Sequence, residues 1–192
     1  MRIVVGVTGG SGSVIALRFL QSLKGGHEVH LIVSEHARLV ARAELDLDAR
    51  EFERYAEYVY DDRDVAARVS SGSFIFDALV IVPCSISTLS KIAAGISDTL
   101  ITRAAAVALK ERRKLVLVPR ETPLSTLTLR NMLSLSEMGA VILPAMPGYY
   151  TRPKSVEDMV DFVVSRILDQ IGGVVNSLIQ RWGGYGPGGL HG

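Results

Sequence analysis

Short, almost uninterrupted apolar runs recur along the chain, each followed by a stretch with helical spacing. Ile3–Val7, Glu28–Val33, Ala78–Val82 and Leu115–Val118 are such runs, and Ala140–Leu143 is a fifth. Residues that are apolar at nearly every position, rather than at every other one, predict strands buried on both faces, as in a parallel sheet. Helical patterns fill the gaps at Ser11–Lys24, Glu35–Glu44, Ser87–Ala94, Thr99–Arg112, Leu124–Met138 and Val156–Ile171. The alternation predicts a single-domain, three-layer α/β fold, an open and mainly parallel sheet with helices on both faces. Tyr60–Ser73 breaks the alternation and reads as a surface excursion. The domain spans residues 1–182, and the glycine-rich residues 183–192 form a tail.

Ligands of such sheets sit beyond the carboxyl ends of the strands. The loops there read TGGSGS, SEH, PCSIST, PRETPLS and PAMPGYYTRP, rich in Gly, Pro, Ser, Thr and Arg. In the first, Gly9, Gly10 and Gly12 let backbone N–H groups turn inward, and Ser11 adds a hydroxyl at a helix start, an arrangement that favours an anion. The alternative is a tight capped turn with no ligand. The glycine spacing is not that of a nicotinamide dinucleotide site, and Ser34 stands where such a site usually offers a carboxylate to the ribose. A hydroxyl at that edge suits a flavin or another small phosphate ligand.

Ser85, Ser87 and Thr88 line a second helix start, as caps or as phosphate ligands. Cys84 reads as a small buried thiol, because no histidine is placed to activate it. Arg103 and Lys110 lie seven residues apart on roughly one helix face. Arg120 and Glu121 directly follow a buried strand, where functional side chains collect. Tyr150 and Arg166 could together grip a phosphate, a phenol giving one hydrogen bond and a guanidinium a fork; the alternative is a hydrophobic turn before a helix.

Composition narrows the classes. The 192 residues carry 21 basic and 20 acidic side chains, a net charge of +1, which gives no footprint for nucleic acid. The single cysteine excludes an internal disulfide and a multi-cysteine metal cluster, and fits a reducing, cytoplasmic setting. The first residues read as a strand, not a signal peptide. The charge-free stretches Ala78–Ser90 and Met138–Thr151 are 13 and 14 residues long, short of the roughly 18–20 a membrane span needs. With 48% hydrophobic residues, the surplus apolar surface predicts a homo-oligomer.

In combination, TGGSG, PCSISTLSKIAAGISD, LITRAAAVALKERRKLVLVPRETPLS, GAVILPAMPGYYTRP and SVEDMVDFVVSRILDQ make the chain resemble the UbiX-type flavin prenyltransferase family, within the homo-oligomeric flavin-containing proteins, from Arg2 to about Trp182. The resemblance implies a Rossmann- or flavodoxin-like fold and an enzyme that joins a dimethylallyl group from dimethylallyl monophosphate to N5 and C6 of reduced FMN. It implies no metal, a prenylated FMN product for UbiD-type decarboxylases, and assembly into a dodecamer with sites between subunits. By the same resemblance Gly9, Gly10, Ser11, Ser34, Ser85, Ile86, Ser87, Thr88 and Arg120 hold FMN, and Arg103 meets ligand at a subunit junction. Lys110, Tyr150 and Arg166 bind the prenyl phosphate, Trp182 closes the site, and Ser11, Glu44 and Glu121 stand near the reacting flavin edge. Glu121 is then the base and Glu44 orients Ser11.

The chain departs from the family at Gly10 for alanine, Ala106 for aspartate and Thr151 for histidine, and has no tryptophan in Tyr60–Ser73. Two other classes compete. A flavin-dependent peptidyl-cysteine decarboxylase would need a catalytic histidine and an ASANT-like loop; no histidine lies between His36 and His191, and the loop reads CSIST. A non-catalytic flavin-carrying subunit of a decarboxylase would have no use for Glu44, Lys110, Glu121, Tyr150 and Arg166.

Overall fold

The computed structural model describes residues 1–173 and 176–183. The expected glycine-rich tail therefore lies, beyond Gly183, outside the described residues. Six parallel strands, β1 (Arg2–Val7), β2 (Glu28–Val33), β3 (Tyr58–Asp61), β4 (Ala78–Cys84), β5 (Lys114–Pro119) and β6 (Val141–Ile142), form one sheet in the order β3-β2-β1-β4-β5-β6. The helices are α1 (Ser13–Leu23), α2 (Glu35–Leu45), α3 (Arg50–Glu53), α4 (Ile86–Ala93), α5 (Leu100–Lys110), α6 (Thr126–Glu137) and α7 (Val156–Ile171). No helix among the described residues is long and apolar enough to cross a membrane.

The expected three layers follow from strand alternation. Ile3, Val5 and Val7 of β1 point with Val80 and Val82 of β4 into one core, covered by α1, α2, α3 and α7. Val4, Leu79, Ile81, Leu115 and Leu117 point the other way, under α4, α5 and α6. Both faces are buried, so polar residues have no face to occupy, and the runs read as continuous apolar segments. Five helices begin at a serine or threonine whose hydroxyl accepts a backbone N–H: Ser34, Ser85, Thr99, Ser125 and Ser155.

The differences from expectation lie at the edges. β3 falls partly inside the expected excursion, which a strand therefore replaces at Tyr60–Asp61; its residues are mostly exposed, so it carries no apolar run. The short helix α3 was likewise not expected. The fifth expected strand shrinks to Val141–Ile142. β4 runs past Pro83 to Cys84 with irregular pairing to β5, which a proline at a bulge permits.

At the β3 edge a polar chain built around buried His30 stands where apolar contacts are missing. His30, fully buried, stacks on Tyr58 at 4.7 Å. Its Nε2 bonds Glu28 Oε1 at 2.8 Å and its Nδ1 bonds the Tyr60 hydroxyl at 2.8 Å. Arg68 Nε donates to Tyr60 at 2.9 Å, and Arg2 Nε donates to Glu28 at 2.9 Å. A carboxylate only accepts, so Nε2 carries the proton and Nδ1 accepts from the phenol. Arg2, and then His30, hold the Glu28 carboxyl down at about 2.

Burial, against the hydrogen bond to Glu28, pulls His30 below its ordinary value of 6.5. The unfolded chain therefore takes up this proton first as pH falls, and the stability that neutral His30 contributes declines below that value. In urea denaturation, the wild type is expected to exceed His30→Gln in stability at pH 8, and the gap to narrow from about pH 6.5 downward. A gap independent of pH would show that His30 does not titrate in this way.

Candidate functional site

β1 and β4 are neighbours, yet the chain leaves β1 toward α1 on one face and leaves β4 toward α4 on the other. Their ends diverge there and open a crevice, the usual ligand position in such sheets. A cavity of about 290 Å³ occupies it, lined by Thr8, Gly9, Ser34, His36, Asp62, Ser85, Ser87, Thr88, Lys91, Thr99, Ile101 and Thr102. The starts of α2, α4 and α5 all face this space.

One threonine joins the two diverging loops. The Thr8 hydroxyl donates to the Pro83 carbonyl at 2.7 Å and accepts from the Ser85 N–H at 2.7 Å. The Thr8 N–H also reaches the Pro83 carbonyl, at 3.2 Å. Glycine at position 9 is required by close approach: a Cβ there would lie 2.6 Å from the Cβ of His36. At position 12 it is required by backbone, with φ of 114°.

Of the sequence-predicted residues, Gly9, Ser34, Ser85, Ser87 and Thr88 line this one cavity. Ser34 and Ser85 are also caps: Ser34 Oγ accepts from Ala37 N at 3.2 Å and Ser85 Oγ from Thr88 N at 3.2 Å. Capping holds each hydroxyl at the mouth of a helix, so the two roles coincide. Ile86 opens α4, and Gly10 packs against Pro83 and Ser85.

The anion expected at the start of α1 is supplied by the chain itself. Glu44, from the last turn of α2, accepts from Gly12 N at 3.2 and 3.0 Å and from Ser13 N at 2.9 Å. Burial raises its pKa, but hydrogen bonds from the Ser11 hydroxyl and the Ser13 and Gly12 amides outweigh it, leaving Glu44 below the ordinary carboxylate value. Asp62 does the same for α5: its Oδ1 accepts from Ile101 N at 2.9 Å and its carbonyl from Leu100 N at 2.7 Å. Burial nonetheless pushes the Asp62 carboxyl up. The start of α4 has no such internal carboxylate among the described residues and faces the cavity with amides and hydroxyls.

The remaining predicted residues lie elsewhere in the chain. Arg120 and Glu121 line a separate cleft of about 60 Å³ with Thr122, Leu124, Pro144 and Met146. Arg103 is exposed on α5, and Lys110, at that helix's end, pairs with Glu111. The face covered by α7 holds Tyr150, edge-on to Phe162 at 5.8 Å and to Trp182 at 5.7 Å, and Arg166, bonded to Asp169 at 2.8 Å. α5 and α7 cover opposite faces of the sheet, so one chain does not bring Lys110 to Tyr150 and Arg166. Burial pushes the Cys84 thiol up to about 12, which keeps it protonated and unreactive, as the sequence predicted.

Thr8, Asp62 and His36 were not legible as site residues. Thr8, directly after β1, opens the TGGSG run, whose glycines and serine carry the recognisable signal, and Asp62 sits in the segment that reads as a surface excursion.

The Flavoprotein family model matches residues 1–168. A flavin prenyltransferase UbiX of Thermoplasma acidophilum is 60% identical over 182 residues, covering 95% of this chain and all of that protein. A dodecameric FMN-dependent UbiX-like decarboxylase from Escherichia coli O157:H7 superposes with a TM-score of 0.93 at 45% identity, over 96% of this chain and all of the other. AnUbiX, solved with FMN and dimethylallyl pyrophosphate, superposes with a TM-score of 0.93 at 44% identity, over 96% of this chain and 98% of the other.

Replacing Thr8 with valine keeps its volume but leaves the part-buried Ser85 N–H without its acceptor. A loss of about 1–3 kcal/mol is expected in urea denaturation; a variant as stable as the wild type would show that Thr8 does not join the loops.

Proposed function

The chain belongs to the UbiX-type flavin prenyltransferase family, and on that premise we propose that it joins the dimethylallyl group of dimethylallyl monophosphate to N5 and C6 of reduced FMN. The product is prenylated FMN, taken up by a UbiD-type decarboxylase. One observation supports this reading: the chain holds two sets of groups suited to anions, a crevice of helix starts and hydroxyls at the β1/β4 divergence, and a phenol near guanidinium groups on α7 and the segment after it. The first fits a nucleotide phosphate and the second a small ester.

In the crevice, the α4 amides with Ser85, Ser87 and Thr88 suit the FMN phosphate, while Ser34 and Gly9 border the nucleotide. Arg120 serves the flavin from the neighbouring cleft. When bound, reduced flavin supplies the electron-rich ring that accepts the prenyl carbon. The chain's own part is to hold the ester and move a proton. Lys110, Tyr150 and Arg166 bind the phosphate and stabilise the charge it gains as its C–O bond breaks. Glu121 receives the proton that leaves C6. Glu44, kept ionised by Ser11, Gly12 and Ser13, fixes the Ser11 hydroxyl at the flavin edge. Trp182 closes over the ester, and no metal is needed.

Because α5 and α7 lie on opposite faces of the sheet, Lys110 reaches the ester, and Arg103 the flavin, from a neighbouring subunit. The exposed apolar residues Leu127, Leu129 and Leu133 on α6 suit burial in such an assembly. A dodecamer, as in the E. coli relative, is the proposed form.

Anaerobic incubation with reduced FMN and dimethylallyl monophosphate is expected to yield a flavin heavier by one five-carbon unit in mass spectrometry, and the diphosphate to react more slowly. Recovery of unmodified flavin with either ester would refute the proposal. Glu121→Gln is expected to slow ring closure at least about 100-fold; closure at the wild-type rate removes Glu121 as the base.

A further inference from the structure

Asp169, on α7, gathers more donors than any role in the helix requires. Its Oδ1 accepts from Arg181 Nη2 at 2.6 Å and from Asn176 Nδ2 at 3.3 Å. Its Oδ2 accepts from Arg166 Nη1 at 2.8 Å and from Arg181 Nη1 at 3.0 Å. Asp169 is only 18% exposed, whereas Arg166 and Arg181 are about half exposed.

The two guanidinium groups are held differently. Arg181 meets both oxygens in a parallel fork, which fixes its plane as well as its position. Arg166 spends one N–H on Asp169, so its Nε and Nη2 donors remain for a ligand. The fork also anchors the segment 176–183, which has no regular secondary structure. Trp182 follows Arg181 directly and stands edge-on to Tyr150 at 5.7 Å. The Arg181 guanidinium lies near the Tyr150 phenol. Phenol, indole and two guanidinium groups thus converge, with one carboxylate behind them.

We propose that Asp169 and Arg181 are positioning residues for the phosphate of the ester: Asp169 orients Arg166, and the Asp169–Arg181 fork pins Trp182 against Tyr150. This rests on the assignment of Tyr150 and Arg166 to the ester. An exposed arginine free to rotate would give up several rotamers on binding, and Asp169 removes that loss in advance. A single carboxylate facing two guanidinium groups leaves one positive charge uncompensated, which suits an incoming phosphate. Hydrogen bonding from Arg181 and the charges of both arginines, against burial, keep the Asp169 carboxyl below its usual range, so it stays ionised at neutral pH.

Trp182 is the chain's one tryptophan, so its emission reports the fork directly. Arg181→Ala, Arg181→Lys, Asp169→Asn and Asp169→Glu are compared with the wild type and with Arg18→Ala, which breaks a separate ion pair to Asp161 on α7. In the flavin-free full chain, Arg181→Ala, Arg181→Lys and Asp169→Asn are expected to increase acrylamide quenching of Trp182 and shift its emission to the red. With FMN bound, they are expected to weaken dimethylallyl monophosphate about ten-fold, raising KM while kcat changes little. FMN affinity, which also verifies folding, stays at the wild-type value. Asp169→Glu recovers much of both signals, and Arg18→Ala changes neither. Unchanged quenching and ester KM in variants of an active wild type would overturn the assignment alone. A wild type that neither binds nor uses the ester would instead overturn the functional reading, and this assignment with it.

Discussion

The crevice exists because two neighbouring strands part company, and a single side chain keeps them from parting further. β1 and β4 pair closely up to Gly6 and Ile81, then feed helices on opposite faces. Thr8 spans the gap with one hydroxyl that donates to Pro83 near the end of β4 and accepts from Ser85 just beyond it. Buried at 3% exposure, it has no water to take over either bond. The positions of Gly9 and of Ser85 are both set from this point, and with them the orientation of α4. A site built on backbone amides needs such a fixed origin, because amides cannot adjust by changing rotamer.

The carboxylates around the crevice show how helix starts are shared between structure and ligand. α1 and α5 each hold an internal carboxylate, Glu44 and Asp62, whereas among the described residues α4 is capped by a hydroxyl alone. A helix start already holding an ionised carboxylate offers little attraction to a phosphate, whereas one presenting amides and hydroxyls does. The glycine-rich turn therefore serves two ends: Gly9 brings the backbone close to His36 without a clash, and the amides beyond it hold Glu44 beside Ser11. The motif that most resembles a phosphate loop is thus, in this chain, the place where an acidic side chain is fixed.

Much of this was legible in the sequence. Strands buried on both faces announce themselves as apolar runs, and Ser34, Ser85 and Ser155 mark helix starts by residue type alone. Edge elements were not legible, because Tyr58–Asp61 is half solvent and half polar network, and its partner His30 hides inside an apolar run. Gly9, Ser34, Ser85, Ser87 and Thr88 were picked from separate loops, and the structure places all of them on one cavity. Asp62 and Thr8 carry no such signal, since their importance lies in where a backbone N–H or carbonyl happens to end, which no residue pattern encodes. Asp169 and Arg181 escaped for a similar reason. They are twelve residues apart across a helix end, and only the folded chain shows that they meet.

The two proposed anion sites differ in material, and the difference follows from what each would have to do. The crevice is made of helix starts, glycine and short hydroxyls, parts with little freedom to lose, which suits a ligand whose ring must be held at a defined height above the sheet. The second site is made of long side chains: a phenol, guanidinium groups and an indole on an irregular segment. Such side chains cost entropy to order, but they can follow an ester as its phosphate departs. Asp169 reconciles these demands, since it restricts the arginines before the ester arrives without consuming all their donors. On the proposed assignment, placing that cluster on one face of the sheet and Lys110 on the other calls for a pocket completed where two chains meet. The same proposal has the crevice belonging wholly to one chain, whereas part of the grip on the ester comes from its neighbour.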